Sequence, residues 1–283
     1  MKKGKFAVQM MMVKGKVAEH GVYETMRQIH ELGYRAVEVS QIPMTAENVA
    51  EFKRAAEDFD IKIAALSAAI DPKPGSNADN LTEHFQKIVD DCKALDCNYL
   101  RMGMIPLDIL GDKDKILNFV EKVELMSERL AEYGIQFYFH NHAVEFQKYD
   151  GELLLDIIKN NSSKLGFEID VHWVARAGVN PVELLKKYTG RIGLLHLKDY
   201  RIGVVDLNGV SDRATYVQRV HNNVEFAELG EGTLNIKEII EAGLAYGSEY
   251  FIVEQDDTYG RDPYESLKIS ANHLRELGYA DWF

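Results

Sequence analysis

A chain of 283 residues, 46% of them apolar, is long enough to bury one large core. Its 45 acidic against 33 basic residues leave a net charge of -12 with no basic stripe, which argues against a nucleic-acid partner. No segment reaches the roughly 20 apolar residues of a membrane span, and the opening MKKGKFAVQMMMV, interrupted by Gln9 and followed by no small-residue cleavage site, reads as a first strand rather than a signal peptide.

Taken in order, the chain alternates strand and helix periods of hydrophobicity, often with a glycine at the hand-over. Residues 6–11 make a first strand. The spacing Val22, Met26, Ile29, Leu32 predicts an amphipathic helix that Gly33 ends before a strand at 35–39. A helix at 46–59 and a strand at 61–66 follow, then a helix at 81–95 and a strand at 98–102. Cys92 and Cys97 sit at that last junction; two lone cysteines fit buried thiols in a reducing compartment, so a cytoplasmic protein is expected. A long helix at 113–133 ends at Gly134 before a strand at 135–139, and a helix at 153–159 precedes a strand at 164–169. The next helix, at 182–188, has Pro181 near its first turn and Gly190 just past its end, ahead of a strand at 192–197. A helix at 236–246 capped by Gly247, a strand at 250–253 and a helix at 263–277 complete the chain.

Counting an irregular seventh helix, these are eight strand–helix pairs, at roughly the length of a TIM barrel of ~250 residues with insertions. A doubly wound open sheet would usually carry a glycine-rich phosphate turn after its first strand, and none is present. The expected fold is α/β, a single (β/α)8 TIM-barrel domain over residues 1–283. Two connections are long, 67–80, which contains Asp71-Pro72-Lys73-Pro74-Gly75, and 200–235. Both follow strands, the third and the seventh, so both belong to the catalytic face, where long loops serve as lids or homo-oligomer contacts.

In a barrel the chemistry sits at the C-terminal strand ends. The fifth strand ends FYFHNHAVEF, offering His140, Asn141, His142 and, slightly beyond, Glu145; the sixth ends EIDVHW, with Asp170 and His172. The seventh ends LLHLKD, with His196, Lys198 and Asp199, and the eighth FIVEQDD, with Glu254, Gln255 and Asp256. A lone acid at a strand end is more often a helix cap or an ion-pair partner, His196 alone reads as a core histidine, and Lys198 can simply pair with Asp199. Four consecutive strands that each deliver an acid or a histidine to one rim are harder to explain that way, because caps need not converge.

One histidine with two or three carboxylates suits a single divalent ion, Mn²⁺, Mg²⁺, Co²⁺ or Zn²⁺, with positions left for substrate oxygens. A substrate chelated through a carbonyl and a neighbouring hydroxyl becomes acidic at the adjoining C–H. His172 and Trp173, just beyond Asp170, either pack or close over a sugar face. With Asn141 and Glu38, the latter near the end of the second strand, they are the candidates for substrate contact.

Over essentially its whole length the chain resembles the sugar phosphate isomerase/epimerase group with the xylose-isomerase-like TIM barrel, which includes inosose dehydratase and ketose 3-epimerases. The segments YFHNHAVEF, GFEIDVHWVARAGVNPVELL, GRIGLLHLKD, ELGEGTLNIKEII and YFIVEQDD carry the resemblance. It implies one divalent metal held by Glu145, Asp170, His196 and Glu254, from the last four strands. Ketose epimerases place the first glutamate at the strand end itself, where this chain has His140 or Asn141. Either Glu145 folds back to the ion or a histidine replaces it; a carboxylate matches the other ligands better. His140 or His142 is then free for acid–base work, with an ordinary pKa of about 6.5.

The resemblance implies a metal-dependent isomerase or epimerase that removes a proton next to a carbonyl of a sugar or cyclitol through a metal-stabilised enediolate. Lys198 donates to the developing oxyanion and His140, His142 or Glu254 moves the proton. The alternative is a dehydratase or lyase on a keto-cyclitol or keto-glycoside. Apurinic-site endonuclease activity, from the same superfamily, needs a multi-zinc cluster and a basic face that this sequence lacks.

Overall fold

Eight short apolar runs pair in parallel and close a barrel: β1 (Lys5–Gln9), β2 (Ala36–Val39), β3 (Lys62–Ser67), β4 (Tyr99–Met102), β5 (Gln136–His140), β6 (Gly166–Asp170), β7 (Ile192–Leu197) and β8 (Tyr250–Val253). β8 pairs back onto β1, Phe6 beside Phe251 and Val8 beside Val253, so the sheet has no open edge. The strands are wrapped by α1 (Lys14–Glu31), α2 (Ala46–Phe59), α3 (Phe85–Ala94), α4 (Lys113–Ala131), α5 (Leu154–Asn160), α6 (Pro181–Lys187), α7 (Ile236–Tyr246) and α8 (Pro263–Leu274). This is the (β/α)8 TIM barrel that the hydrophobic periods predict. The computed structural model describes residues 3–73, 75 and 77–283, so Pro74 of the first long loop lies outside the described residues, as do Met1 and Lys2 ahead of β1. Among the described residues no helix is long and apolar enough to cross a membrane.

Because successive strand residues face opposite sides of the sheet, each strand sorts its own side chains. Phe6, Phe137, Phe139, Phe167, Leu195 and Phe251 belong to the core between barrel and helices. Ala7, Ala36, Tyr138, Leu194 and Ile252 form a smaller cluster inside the barrel. Tyr138 finds room there because Gly193 has no side chain; a Cβ at that position would lie 2.1 Å from the tyrosine hydroxyl. Further along seven of the eight strands the inward position turns polar. Gln9, Glu38, Arg101, His140, Glu168, His196 and Glu254 occupy it, and all are buried.

The structure departs from the sequence reading at a few boundaries. β1 stops at Gln9, whose side chain accepts from the Met11 amide at 3.2 Å and turns Met10–Val13 into a single 3-10 turn. α1 begins earlier than its apolar spacing suggests but is broken at Gly21, φ 83°, a left-handed backbone that favours glycine. Glu51 of α2 caps its second half, accepting from the amides of Val22 at 2.9 Å and Tyr23 at 3.2 Å. α3 starts only at Phe85, because the Asn80 side chain accepts from the Glu83 amide at 2.9 Å and holds the preceding residues in a turn. The connection after β7 contains an antiparallel ribbon, Asp199–Ile202 with Val224–Ala227, and a helix, Arg213–His221. Asp199 does not pair with Lys198. Its Oδ1 accepts from the amides of Tyr200 at 2.8 Å and of Thr233 and Leu234 at 3.0 Å, stapling the two ends of this excursion together.

Candidate active site

The C-terminal ends of β5 to β8 bring His140, Asp170, His196 and Glu254 together. Each offers one donor atom, and the four atoms lie within 4.8 Å of one another. His196 Nδ1 is 2.8 Å from Glu254 Oε2, and His140 Nε2 is 4.0 Å from Asp170 Oδ2. Asp170 uses its two oxygens differently. Oδ1 caps the short helix Val171–Arg176, accepting from the amides of His172 at 2.9 Å and Trp173 at 3.3 Å, while Oδ2 accepts no hydrogen bond among the described residues. The one cationic neighbour of Oδ2 among the described residues is the Lys198 ammonium at 3.5 Å, too long for a good hydrogen bond, and two carboxylates with two imidazoles form a donor set that fits one divalent ion such as Zn²⁺, Co²⁺ or Mn²⁺.

Glu145 stands outside this group. It is fully buried in the turn Ala143–Phe146, where its Oε2 accepts from the His142 amide at 2.7 Å. The β5 residue in the group is His140, at the strand end. Burial pushes the Glu145 carboxyl up to about 7. Since the unfolded chain ionises this group more easily, the destabilisation is absent below about pH 4.5, grows as pH rises, and is complete above about pH 7. Glu145→Gln keeps the acceptor without the charge, so it is expected to raise stability by up to about 3 kcal/mol at pH 8 and by nothing at pH 4, in denaturant melts at both. Metal uptake by the variant should match the parent; its loss would place Glu145 among the ligands after all.

Against the four donors packs a second set of buried polar groups, of which Arg101 also lines the adjoining cavity. Glu38 Oε1 is 2.9 Å from Arg101 Nε and 3.1 Å from His196 Nε2, and accepts from Gln9 Nε2. Glu168 meets Arg101 at 3.4 Å, His140 at 3.1 Å and His196 at 3.2 Å. Glu38 therefore touches His196 and does not line the cavity. Neither Arg101 nor Glu168 stands out as a strand-end residue. The signal for Glu168 is parity: it precedes Asp170 by two positions and so faces the same way.

Charge is distributed unevenly through the two sets. Burial alone would lower His196, but Glu168, Glu254 and Glu38 outweigh it and hold the imidazole well above its ordinary value. Burial, with the positive charge of His196 and Arg101, holds His140 well below it. Burial would raise Glu254, yet Lys198 and His196 keep it well below the usual carboxylate range. Asp170 is raised by burial to about 7 despite the pull of Lys198.

A cavity of about 350 Å³, within the range of small-molecule sites, opens beside two of the donors, His140 and Glu254. His140, His142, Lys198, Glu254 and Asp256 line it from the strand ends, and residues of the loop after β3 form the facing wall. Lys198 Nζ is 2.7 Å from Asp256 Oδ1, 3.2 Å from Glu254 Oε2 and 3.5 Å from Asp170 Oδ2. Burial disfavours its charge, but these three carboxylates outweigh it and push its pKa up, so it remains an ammonium. His142 packs against His140, ring centroids 4.8 Å apart; burial and Lys198 push it down to about 4.

Two of the expected substrate contacts are engaged elsewhere, and a third is at one remove. The Asn141 amide clamps β5 to β6, accepting from the Asp170 amide at 3.0 Å and donating to the Asp170 carbonyl at 3.4 Å. His172 packs edge-on against Trp173 and Tyr200 and tilts against Phe226, at 4.7, 5.1 and 4.9 Å, walled in by the ribbon. Trp173 holds Lys198 Nζ 5.2 Å from its ring centre, with Phe226 at 5.1 Å, so these aromatics position the ammonium.

The chain is similar to known enzymes. It is 26% identical over 160 residues to an inosose dehydratase of Geobacillus thermodenitrificans (strain NG80-2), covering 56% of this chain and 53% of that protein. It is 24% identical over 179 residues to an inosose dehydratase of Lacticaseibacillus casei, covering 61% and 59%. The chain thus spans only about half the length of the curated relatives it matches. Among solved structures, a sugar phosphate isomerase/epimerase from Parabacteroides distasonis ATCC 8503 overlays with a TM-score of 0.74 at 20% identity, covering 98% of this chain and 99% of that one. An IOLI protein with a bound zinc atom overlays with a TM-score of 0.68 at 17% identity, covering 99% of each. At such identities the structural likeness is one of fold. The family model for the xylose isomerase-like TIM barrel matches residues 26–277, nearly the whole barrel, and the chain belongs to that family.

Proposed function

We propose that this protein is a divalent-metal-dependent enzyme that removes a proton next to the carbonyl of a sugar or cyclitol and returns it either to the neighbouring carbon, as an isomerase, or to the opposite face of the same carbon, as an epimerase. The observation that carries this reading is the convergence of four buried donors from successive strands, two of which, His140 and Glu254, line a cavity. His140, Asp170, His196 and Glu254 would hold the ion, which when bound supplies Lewis acidity to a carbonyl and its adjacent hydroxyl. Lys198, kept charged by three carboxylates, donates to the oxygen that gains negative charge. His142 lines the same cavity without belonging to the donor group, and its imidazole takes the proton from carbon and gives it back.

A single imidazole works from one face of the substrate. That favours transfer between adjacent carbons over inversion at one carbon, which needs a base on each side. Incubating the metal-loaded protein with a panel of ketoses and keto-cyclitols in D₂O should show exchange of a C–H next to the carbonyl by NMR. Chelation should stop it and a divalent ion restore it. If no member of the panel exchanges, the proposal fails.

Dehydration is a second reading, supported by the inosose dehydratase relatives and by the same one-faced geometry. His142 would take the proton from carbon and pass it to a departing hydroxyl on that face, which leaves as water while a C=C bond forms. A conjugated enone absorbance on turnover selects this outcome over isomerisation.

A further inference from the structure

Glu168 sits one inward position below Asp170 on β6 and takes no part in the proton transfer described above. It is fully buried, and its two oxygens approach two different imidazoles. Oε2 is 3.1 Å from His140 Nδ1, and Oε1 is 3.2 Å from His196 Nε2. In each ring the other nitrogen faces the donor group: His140 Nε2 lies 4.0 Å from Asp170 Oδ2, and His196 Nδ1 lies 2.8 Å from Glu254 Oε2. One carboxylate reaches both rings because β6 lies between β5 and β7 in the barrel. Arg101 Nε, 3.4 Å from Glu168 and 2.9 Å from Glu38, supplies the positive charge that allows two acids to be buried side by side.

A neutral imidazole carries one N–H and one free lone pair, and a carboxylate beside one nitrogen favours the N–H there. His196 has carboxylates at both nitrogens, Glu254 at Nδ1 and Glu38 and Glu168 at Nε2, so it keeps its N–H at Nε2 when a cation takes the place of the proton at Nδ1. Resting on the metal-centre reading above, we propose that Glu168 is a positioning residue that holds both histidines in the tautomer needed for ligation. Nε2 of His140 and Nδ1 of His196 would then be the nitrogens free to hold a cation. Outer carboxylates of this kind typically change metal affinity by about 10- to 100-fold. Glu38, which also approaches His196 Nε2 at 3.1 Å, can support one of the two rings; among the carboxylates of the described residues, Glu168 is the one in ion-pair contact with both.

Glutamine is the informative replacement, because it keeps the shape but offers one acceptor and one donor, and so can satisfy only one of the two N–H groups. Two measurements test the proposal: long-range ¹H–¹⁵N imidazole spectra of the Zn²⁺-loaded protein, and Co²⁺ titrations followed by visible absorption. In the parent, His140 should be bound through Nε2 and His196 through Nδ1. Glu168→Gln should bind Co²⁺ roughly 10- to 100-fold more weakly with an altered absorption band, and at least one ring should change its bound nitrogen. Ligation of either ring through the opposite nitrogen in the parent overturns the proposal, and this needs no variant to fold. So does a Glu168→Gln protein with parental Co²⁺ affinity and spectrum. A parent that takes up neither ion brings down the metal-centre reading itself, an outcome distinct from a loaded parent whose variant is unaffected.

Discussion

Asp170→Asn is expected to abolish divalent-metal uptake and to lower turnover by on the order of 10³ or more, the several kcal/mol of charge stabilisation that a Lewis acid supplies. The substitution separates the two tasks of this residue. Asparagine caps helices about as well as aspartate, so acceptance from the amides of His172 and Trp173 survives and the barrel should keep its circular dichroism. What is lost is the negative charge and the carboxylate oxygen Oδ2, the one that faces the other donors without a hydrogen bond of its own. Titration calorimetry with Zn²⁺ and Mn²⁺, beside the isotope-exchange assay, separates the outcomes. A folded variant that loads metal like the parent excludes Asp170 from the ligand set.

His142→Gln should leave metal uptake and KM within a few-fold of the parent and reduce kcat by roughly 10²- to 10⁴-fold, the usual worth of a positioned general base. The reasoning rests on location. His142 lines the cavity beside His140 yet is absent from the group of converging donors. Loss of solvent exchange at the substrate C–H with substrate binding intact is the signature of a missing base. Unchanged exchange removes His142 from the reaction, and a fall in metal affinity of the size expected for Asp170→Asn would instead make it a ligand.

The strand ends Asp170, His196 and Glu254 are legible in the amino-acid sequence because each closes an apolar run, and parallel strands in a barrel end on one rim. Glu145 is the natural candidate for the fourth donor by charge, but a hydrogen bond to the His142 amide turns its carboxylate back onto its own turn, and His140 stands in the donor group. Asn141 looks like a substrate contact for the same positional reason, and is consumed in clamping two strands together. Local sequence states which residues reach the rim; it does not state which way a four-residue turn faces.

Hydrophobic period and strand–helix order, both properties of neighbours in sequence, are enough to determine the closed barrel and the rim on which its polar strand ends lie. The second set of buried polar groups is decided only by tertiary structure. Contacts such as His196 with Glu38 join residues 158 positions apart, and Glu168 with His140 and His196 bridges three strands at once. Such contacts depend on the register with which the strands close, and on Arg101 arriving between two acids that would otherwise repel. Barrel closure sets both, and no stretch of the chain carries that information by itself.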